Sequence, residues 1–538
     1  MRFFAIVVVA AFITTGCISD RALPYRDPKL PIERRVQDLL LRMTSEEKAV
    51  VLRGEAAPRL GIPAIHVAPV TSGSNTLAVA ATWNPDLAAQ EARAIAQAAL
   101  EKGVDQLIIP DPRGYGEDPY LASRMTVAYV GAVQGEGLIA TLPDFDTRPD
   151  PRVLQEIYYP PYRAAIEEAG IWSIKLAPGS DREALAEVLN LNWGFKGFIA
   201  GERDGHDDRL HRILRAMFAS GIFERGSAVL STGYKAAEHA IAAQSMVLLK
   251  NDGALLPIDQ SKLHSIAVIG SENGIRERAL THFQTRYASG SPVTEAVDLA
   301  RSSDIAIVTA RNPADDELIQ AVVRANRYTV VVASAAAPAS LRKWADKVPV
   351  ILYTWANGPE VAAALFGDIS PSGRLPFTIP RNEPRSPATG GEGIYVGYRY
   401  FDKQRLDPLF PFGYGQGYTT FTWSDLRILP ATPRYGQLVE AVVRLQNPGS
   451  RTAAEVVQVY VHQVKSSLDR PVKELKAFRR VELGPGETRD VSFQLDRRAM
   501  WFYDPAVQDW AVEPGIFEVL AGASSRDIRL KGTFELFQ

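Results

Sequence analysis

The chemistry open to this chain rests on carboxylates, one cysteine and a few isolated ring groups. Gly201-Glu202-Arg203-Asp204 sets two carboxylates around an arginine, which would pair with Glu202 and lower its pKa and its nucleophilicity. Asp315-Asp316-Glu317 runs straight into Leu318-Ile319, an acidic helix start where capping and the helix dipole favour negative charge without any further role. His66 stands alone after Ile62-Pro63, and a lone histidine is more often a structural hydrogen-bonder than a ligand contact. Trp355, ahead of the turn Asn357-Gly358-Pro359, offers its face either to a sugar ring or to a core. No His/Asp/Glu cluster has metal spacing and no Gly-rich phosphate loop follows a strand, so no metal and no cofactor are expected.

Met1-Arg2, the apolar run Phe3 to Ile13 and Thr14-Thr15-Gly16-Cys17 read as a signal peptide over 1–17. The run is too short to span a bilayer as a helix, which takes about 20 residues. The only cysteine follows the small-residue stretch directly, and this resembles the lipobox of bacterial lipoproteins, in which the cysteine is diacylated and becomes the new N-terminus. That resemblance implies an exported chain, lipid-anchored through Cys17 to a bacterial membrane, at the outer membrane or facing the periplasm. No thiol is then left for a disulfide, a zinc site or a nucleophile. With 60 Lys+Arg against 62 Asp+Glu, no global basic field exists to hold a nucleic acid.

These residues must be positioned by folded domains, and 538 residues with 46% hydrophobic and 23% charged content suffice for about three. Over 28–231, amphipathic stretches alternate with short apolar runs: Asp86 to Lys102 at helical period, Gln106 to Pro110, Pro151 to Gly170, Ile171 to Leu176. That rhythm predicts an α/β layer or barrel. A second α/β region, 236–415, carries candidate strands at Ser265 to Gly270, Ile305 to Val308, Tyr328 to Ala333 and Val348 to Tyr353. Beyond Thr422 the period changes to two, and 422–538 reads as a β-sandwich of about seven strands with turns at Asn447-Pro448-Gly449 and Gly484-Pro485-Gly486.

Ordered blocks along the chain resemble the family 3 glycoside hydrolases, the β-glucosidase family. Arg35 to Lys48 looks like the family's opening helix, followed by Arg59-Leu60-Gly61-Ile62-Pro63, Gly116-Glu117-Asp118-Pro119-Tyr120, Trp193-Gly194-Phe195-Lys196-Gly197-Phe198 and Ser245 to Asn251. Pro371-Ser372-Gly373-Arg374-Leu375-Pro376, Gly397-Tyr398-Arg399-Tyr400-Phe401, Phe412-Gly413-Tyr414-Gly415 and Arg470 to Leu475 complete the series. The resemblance implies a (β/α)8-type barrel, here shortened, then an α/β sandwich, then an all-β fibronectin type III-like sandwich.

It also implies where catalysis would sit. A retaining glycosidase needs two carboxyls about 5–5.5 Å apart. Glu202 falls at the nucleophile position, where the family has Asp, and its extra methylene displaces the attacking oxygen by about 1 Å, a misplacement that can cost on the order of 10²-fold. Asp204 is the fallback. The family's sugar-binding Lys-His pair is replaced by Pro143-Asp144, so Asp144 accepts where the family donates. Arg113, in Asp111-Pro112-Arg113, stands next to a sugar-binding loop that is mostly missing, and Glu317 lacks the loop that precedes the family's acid/base. His66 and Trp355 complete the substrate-binding candidates, and the aromatic run Tyr395 to Phe401 is expected to pack between domains. The expectation is a catalytically degenerate lipoprotein that binds carbohydrate or serves an assembly. The alternative is an active retaining β-glycosidase, hydrolysing terminal β-linked glucose-type residues through Glu202 or a relocated site.

Overall fold

The computed structural model describes residues 23–71, 73, 75–145, 150–181, 187–200, 206–224, 234–259, 261–271, 274–311, 313–334, 341–355, 358–382 and 393–537. They form two compact units.

The smaller unit joins residues 23–65 to 206–224. Helix Ile32–Arg42 buries Val36 and Leu39, and packs on helix His206–Ala219, whose Leu210, Ile213, Leu214 and Met217 are buried. Arg35 is buried with them: its Nε donates to the Tyr25 carbonyl (2.9 Å), its guanidinium pairs with Glu224 and lies 4.1 Å from the Phe218 ring centroid. The opening helix expected over Arg35 to Lys48 is two helices. Thr44 starts the second, Ser45–Leu52, with its Oγ1 accepting from the Glu47 N–H (3.3 Å) while the Glu47 carboxylate accepts from the Thr44 N–H (2.9 Å), a reciprocal capping box.

The larger unit contains the sheets. Its first is parallel, with strands β1 (Val67–Pro69), β2 (Gln106–Ile108), β3 (Ile139–Phe145), β4 (Ser173–Leu176) and β5 (Phe198–Ala200) in sequential spatial order. Sequential order with a helix between neighbours is barrel topology rather than the reversed order of a doubly wound sheet. The shortened barrel is thus an arc of five strands, unclosed among the described residues. Ile139, Ala140, Thr141 and Leu142 have no exposure at all, as expected for a strand covered on both faces. Helices Pro85–Glu101, Pro119–Gly135 and Pro160–Glu167 supply the cover, and the amphipathic stretch expected over Pro151 to Gly170 is broken into a short α turn, a π segment Leu154–Tyr158 and the last of these helices.

The second sheet has the order β6-β11-β10-β9-β7-β8, with β6 (Val247–Asn251) antiparallel to β11 (Val350–Thr354) and the rest parallel: β7 (Ser265–Ile269), β8 (Gln284–Ala288), β9 (Ile305–Ala310) and β10 (Thr329–Ser334). The four expected strands are present, and the edge strands β6 and β8 are additional. The third region packs a three-stranded sheet, β12 (Thr422–Leu429), β13 (Val439–Gln446) and β16 (Thr488–Leu495), against a four-stranded one. The latter runs β15 (Glu474–Leu483), β14 (Ala453–Gln463), β19 (Gly515–Gly522) and β20 (Ile528–Leu536). A small hairpin of β17 (Phe502–Asp504) and β18 (Asp509–Ala511) stands beside these seven, and Val443, Val459, Phe517 and Val519 fill the space between the sheets.

Candidate functional site

In a parallel barrel the chemistry gathers at the C-terminal ends of the strands. Here β2 runs out into Asp111, which accepts from the Arg113 N–H (2.9 Å) and so sets the short turn Pro112–Tyr115. Arg113 then folds back: its Nε lies 3.0 and 2.8 Å from the two Asp111 oxygens, and its Nη2 is 4.0 Å from Asp144 Oδ2. The Asp111 carboxylate holds the Arg113 guanidinium above its ordinary pKa.

Asp144 reaches this position because the end of β3 is irregular. The register with β4 slips between Leu142 and Phe145, and Asp144 has φ of 54°, a left-handed conformation that Asp tolerates better than most residues. Tyr162 Oη donates to the Pro143 carbonyl (2.7 Å), while Phe145 returns to the core against Tyr159, ring centroids 4.7 Å apart. Two residues singled out separately in the sequence, Arg113 and Asp144, are therefore brought together, along with Asp111, which was not singled out. The rim presents an arginine already occupied by one carboxylate and approached by a second.

The other candidates are scattered. His66 precedes β1, at the N-terminal end of the parallel strands and so at the end opposite to Asp144; both its backbone N–H and its Nδ1 lie 3.0 Å from Asp105 Oδ2, and its carbonyl accepts from the Asp105 and Gln106 N–H groups. The ring is thus tied to Asp105 while its side chain stays 71% exposed. Trp355 follows β11, packs edge-on against Tyr353 at 5.2 Å and touches two apolar clusters, with its Nε1 buried and without a partner among the described residues. Glu317 is exposed on the first turn of helix Asp316–Ala325, whereas its neighbour Asp316 is buried and accepts from Lys343 Nζ (2.7 Å) and Trp344 Nε1 (3.1 Å). Glu202, Asp204 and Cys17 lie outside the described residues.

Three blocks read in the sequence only as landmarks converge on a clasp. The Glu117 carboxylate accepts from the Thr378 N–H, the Thr378 hydroxyl and the Tyr398 N–H, each at 2.7 Å, and its loss of solvent pushes its pKa up to about 7. Asp118, fully buried, caps helix Pro119–Gly135 through the Tyr120 and Leu121 N–H groups and also accepts from Tyr398 Oη and Arg399 Nη2. Close approach explains two glycines: a Cβ at Gly116 would sit 2.3 Å from the Pro376 carbonyl oxygen, and one at Gly397 would sit 2.1 Å from Glu117 Cδ. Tyr398 stacks on Phe412 at 4.9 Å and meets Tyr460 edge-on at 5.9 Å, so the expected packing role of the aromatic run centres on this residue.

Residues 246–418 match the Glycosyl hydrolase family 3 C-terminal domain, and residues 455–525 match the Fibronectin type III-like domain. Beta-glucosidase BoGH3A of Bacteroides ovatus is 28% identical over 745 aligned positions, covering 100% of this chain and 99% of that protein. Because this chain has only 538 residues, that relative carries long stretches without a counterpart here. Thermostable beta-glucosidase B of Acetivibrio thermocellus is 28% identical, covering 92% of this chain and 87% of the relative. The fold is shared with the crystal structure of beta-D-glucoside glucohydrolase from Trichoderma reesei, with a TM-score of 0.84, 22% identity, and coverage of 94% of this chain and 99% of that one.

Proposed function

Because this chain is a β-glucosidase-like protein of glycoside hydrolase family 3, we propose that it has kept the scaffold while giving up sugar hydrolysis, and that it binds carbohydrate as an exported, Cys17-anchored lipoprotein. The carrying observation is the self-paired rim. A glycosidase subsite needs donors free to hold sugar hydroxyls and strengthen in the transition state. Arg113 spends its Nε on Asp111, and Asp144 contributes a second carboxylate where the family supplies two donors. A fold outlives its chemistry readily, since the residues that hold domains together are not those that react. Here the retained blocks, such as Gly116-Glu117-Asp118, are engaged in packing.

A second reading has its own support, in that relatives aligned over almost the whole chain carry the names of β-glucosidases. Under it the chain hydrolyses terminal β-linked glucose-type residues with Glu202 as nucleophile.

The test is hydrolysis of aryl-β-glucosides, whose good leaving groups need little acid assistance, by the parent, Glu202→Gln and Glu202→Asp at matched folding. The binding reading expects no turnover above background in any of the three. Turnover in the parent that vanishes in Glu202→Gln would establish the second reading, and turnover indifferent to both changes would point to Asp204 or another loop.

A further inference from the structure

Away from the strand ends, a cavity of about 390 Å³ lies between helices Pro119–Gly135 and Pro160–Glu167 and the sandwich strands β15 and β16. This volume is within the range of small-molecule sites. Three of its four carboxylates are taken, and the fourth, Asp496, accepts from the Arg498 N–H (2.8 Å). Glu168 accepts from both terminal nitrogens of Arg124 (2.7 and 2.8 Å) and from Arg498 (2.7 Å); Glu156 accepts from Arg152 (2.9 Å) and the Tyr503 N–H (3.1 Å); Glu474 accepts from Arg470 (2.8 Å).

Its cations are not all satisfied. Lys476 has a side chain only 13% exposed, and its nearest carboxylate oxygen, on Glu474, is 3.6 Å away, beyond hydrogen-bonding distance. The Arg399 side chain is 3% exposed, with a buried Nε that has no partner among the described residues, and the buried Nε of Arg124 has none either. Burial depresses the Lys476 pKa, and Glu474 opposes that effect. The buried Nε atoms of Arg124 and Arg399 are closed to an occupant, so Lys476, which makes no hydrogen bond among the described residues, is the lining group that calls for an acceptor. Trp501 and Trp510, with ring centroids 4.3 Å apart, add an aromatic wall on which Arg163 lies 4.7 Å from the Trp501 centroid, and Gln494 stands exposed among the lining residues.

We propose that this cavity is a second binding site, separate from the strand-end rim, for a small acidic saccharide of the hexuronate class. The carboxylate of the sugar meets Lys476, its ring hydroxyls meet the remaining polar groups, and its C–H face lies toward the tryptophan wall. The site is independent of whether the rim hydrolyses anything.

The experiment is calorimetric titration of the full-length protein with D-glucuronate and, in parallel, with D-glucose and acetate. Glucuronate is expected to bind at least tenfold more tightly than either. Lys476→Met, which keeps most of the side-chain length and removes the charge, should weaken it at least tenfold. Gln494→Trp, a change at an exposed lining position that leaves every cation in place, should do the same by filling space. Glucuronate binding no tighter than glucose or acetate overturns the proposal, as does glucuronate affinity unchanged in both variants. Should Lys476→Met fail to fold, Gln494→Trp decides alone.

Discussion

Tyr398 Oη donates to Asp118 Oδ2 at 2.9 Å, joining positions 280 residues apart in the chain. The same hydroxyl accepts from the Leu475 N–H at 3.0 Å, so one phenol ties the helix after β2, the end of the second α/β region and the sandwich strand β15. Tyr398→Phe keeps the ring stacking and leaves Asp118 and the Leu475 N–H each short of a buried partner. The expected loss is about 1–3 kcal/mol, read as a lower urea midpoint with an unchanged slope; an unchanged midpoint would show that the clasp does not depend on this hydroxyl.

Glu117 makes the clasp sensitive to pH. Its carboxyl, ordinarily at 4.5, is raised to about 7 in the folded protein by loss of solvent, against the pull of its three hydrogen bonds. The folded state therefore holds a proton that the unfolded state has already released between about pH 4.5 and 7, and stability falls as pH rises through that window. Melting temperatures from pH 4.5 to 8 should show this decline in the parent relative to Glu117→Gln, which has no proton to lose. Parallel profiles in the two proteins would contradict the raised pKa.

Arg374, with a side chain 2% exposed, pairs with Glu455 on β14 and also donates to the Ser372 and Gly373 carbonyls. Arg374→Met strands a buried carboxylate. Breaking one partner of a buried pair costs about 3–5 kcal/mol, so the melting temperature should drop sharply, and the double change Arg374→Met with Glu455→Leu should recover much of the loss. A single variant as stable as the parent would show that water reaches Glu455.

Cys17 carries the anchoring proposal. Cys17→Ser removes the acyl attachment, each buried CH₂ of which contributes about 0.8 kcal/mol of membrane affinity. The variant should accumulate as precursor or appear in the soluble fraction after cell fractionation. Equal membrane retention of parent and variant would rule the lipid anchor out.

Much of the fold was legible in the sequence because it rests on local period. The period of two beyond Thr422 became the sandwich, in which β13 and β16 end and begin at the expected turns near Asn447 and Gly486. β8 was missed because Gln284-Thr285-Arg286-Tyr287-Ala288 is an edge strand with three exposed residues, so its hydrophobic signal is weak. The break at Thr44 was readable, since Thr44 and Glu47 have the spacing of a capping box, but the apolar period on either side conceals it. The rim was less legible. Arg113, Asp111 and Asp144 could be named from their neighbours in sequence, yet their pairing depends on a register slip between β3 and β4 that no local pattern specifies. His66 illustrates the same limit, because the acceptor that engages it, Asp105, lies 39 residues on.

The open arc of parallel strands has a cost that a closed barrel avoids. Among the described residues β1 pairs only with β2, and β5 only with β4, so each ends the ladder with a row of backbone donors and acceptors facing away from it. Such margins are templates on which another extended chain can add itself. The first is only three residues long, Val67–Pro69, and ends in a proline that has no N–H to offer. Brevity and that proline leave the exposed β1 margin little ladder on which another strand could extend, whereas Phe198 and Ile199 on β5 are buried.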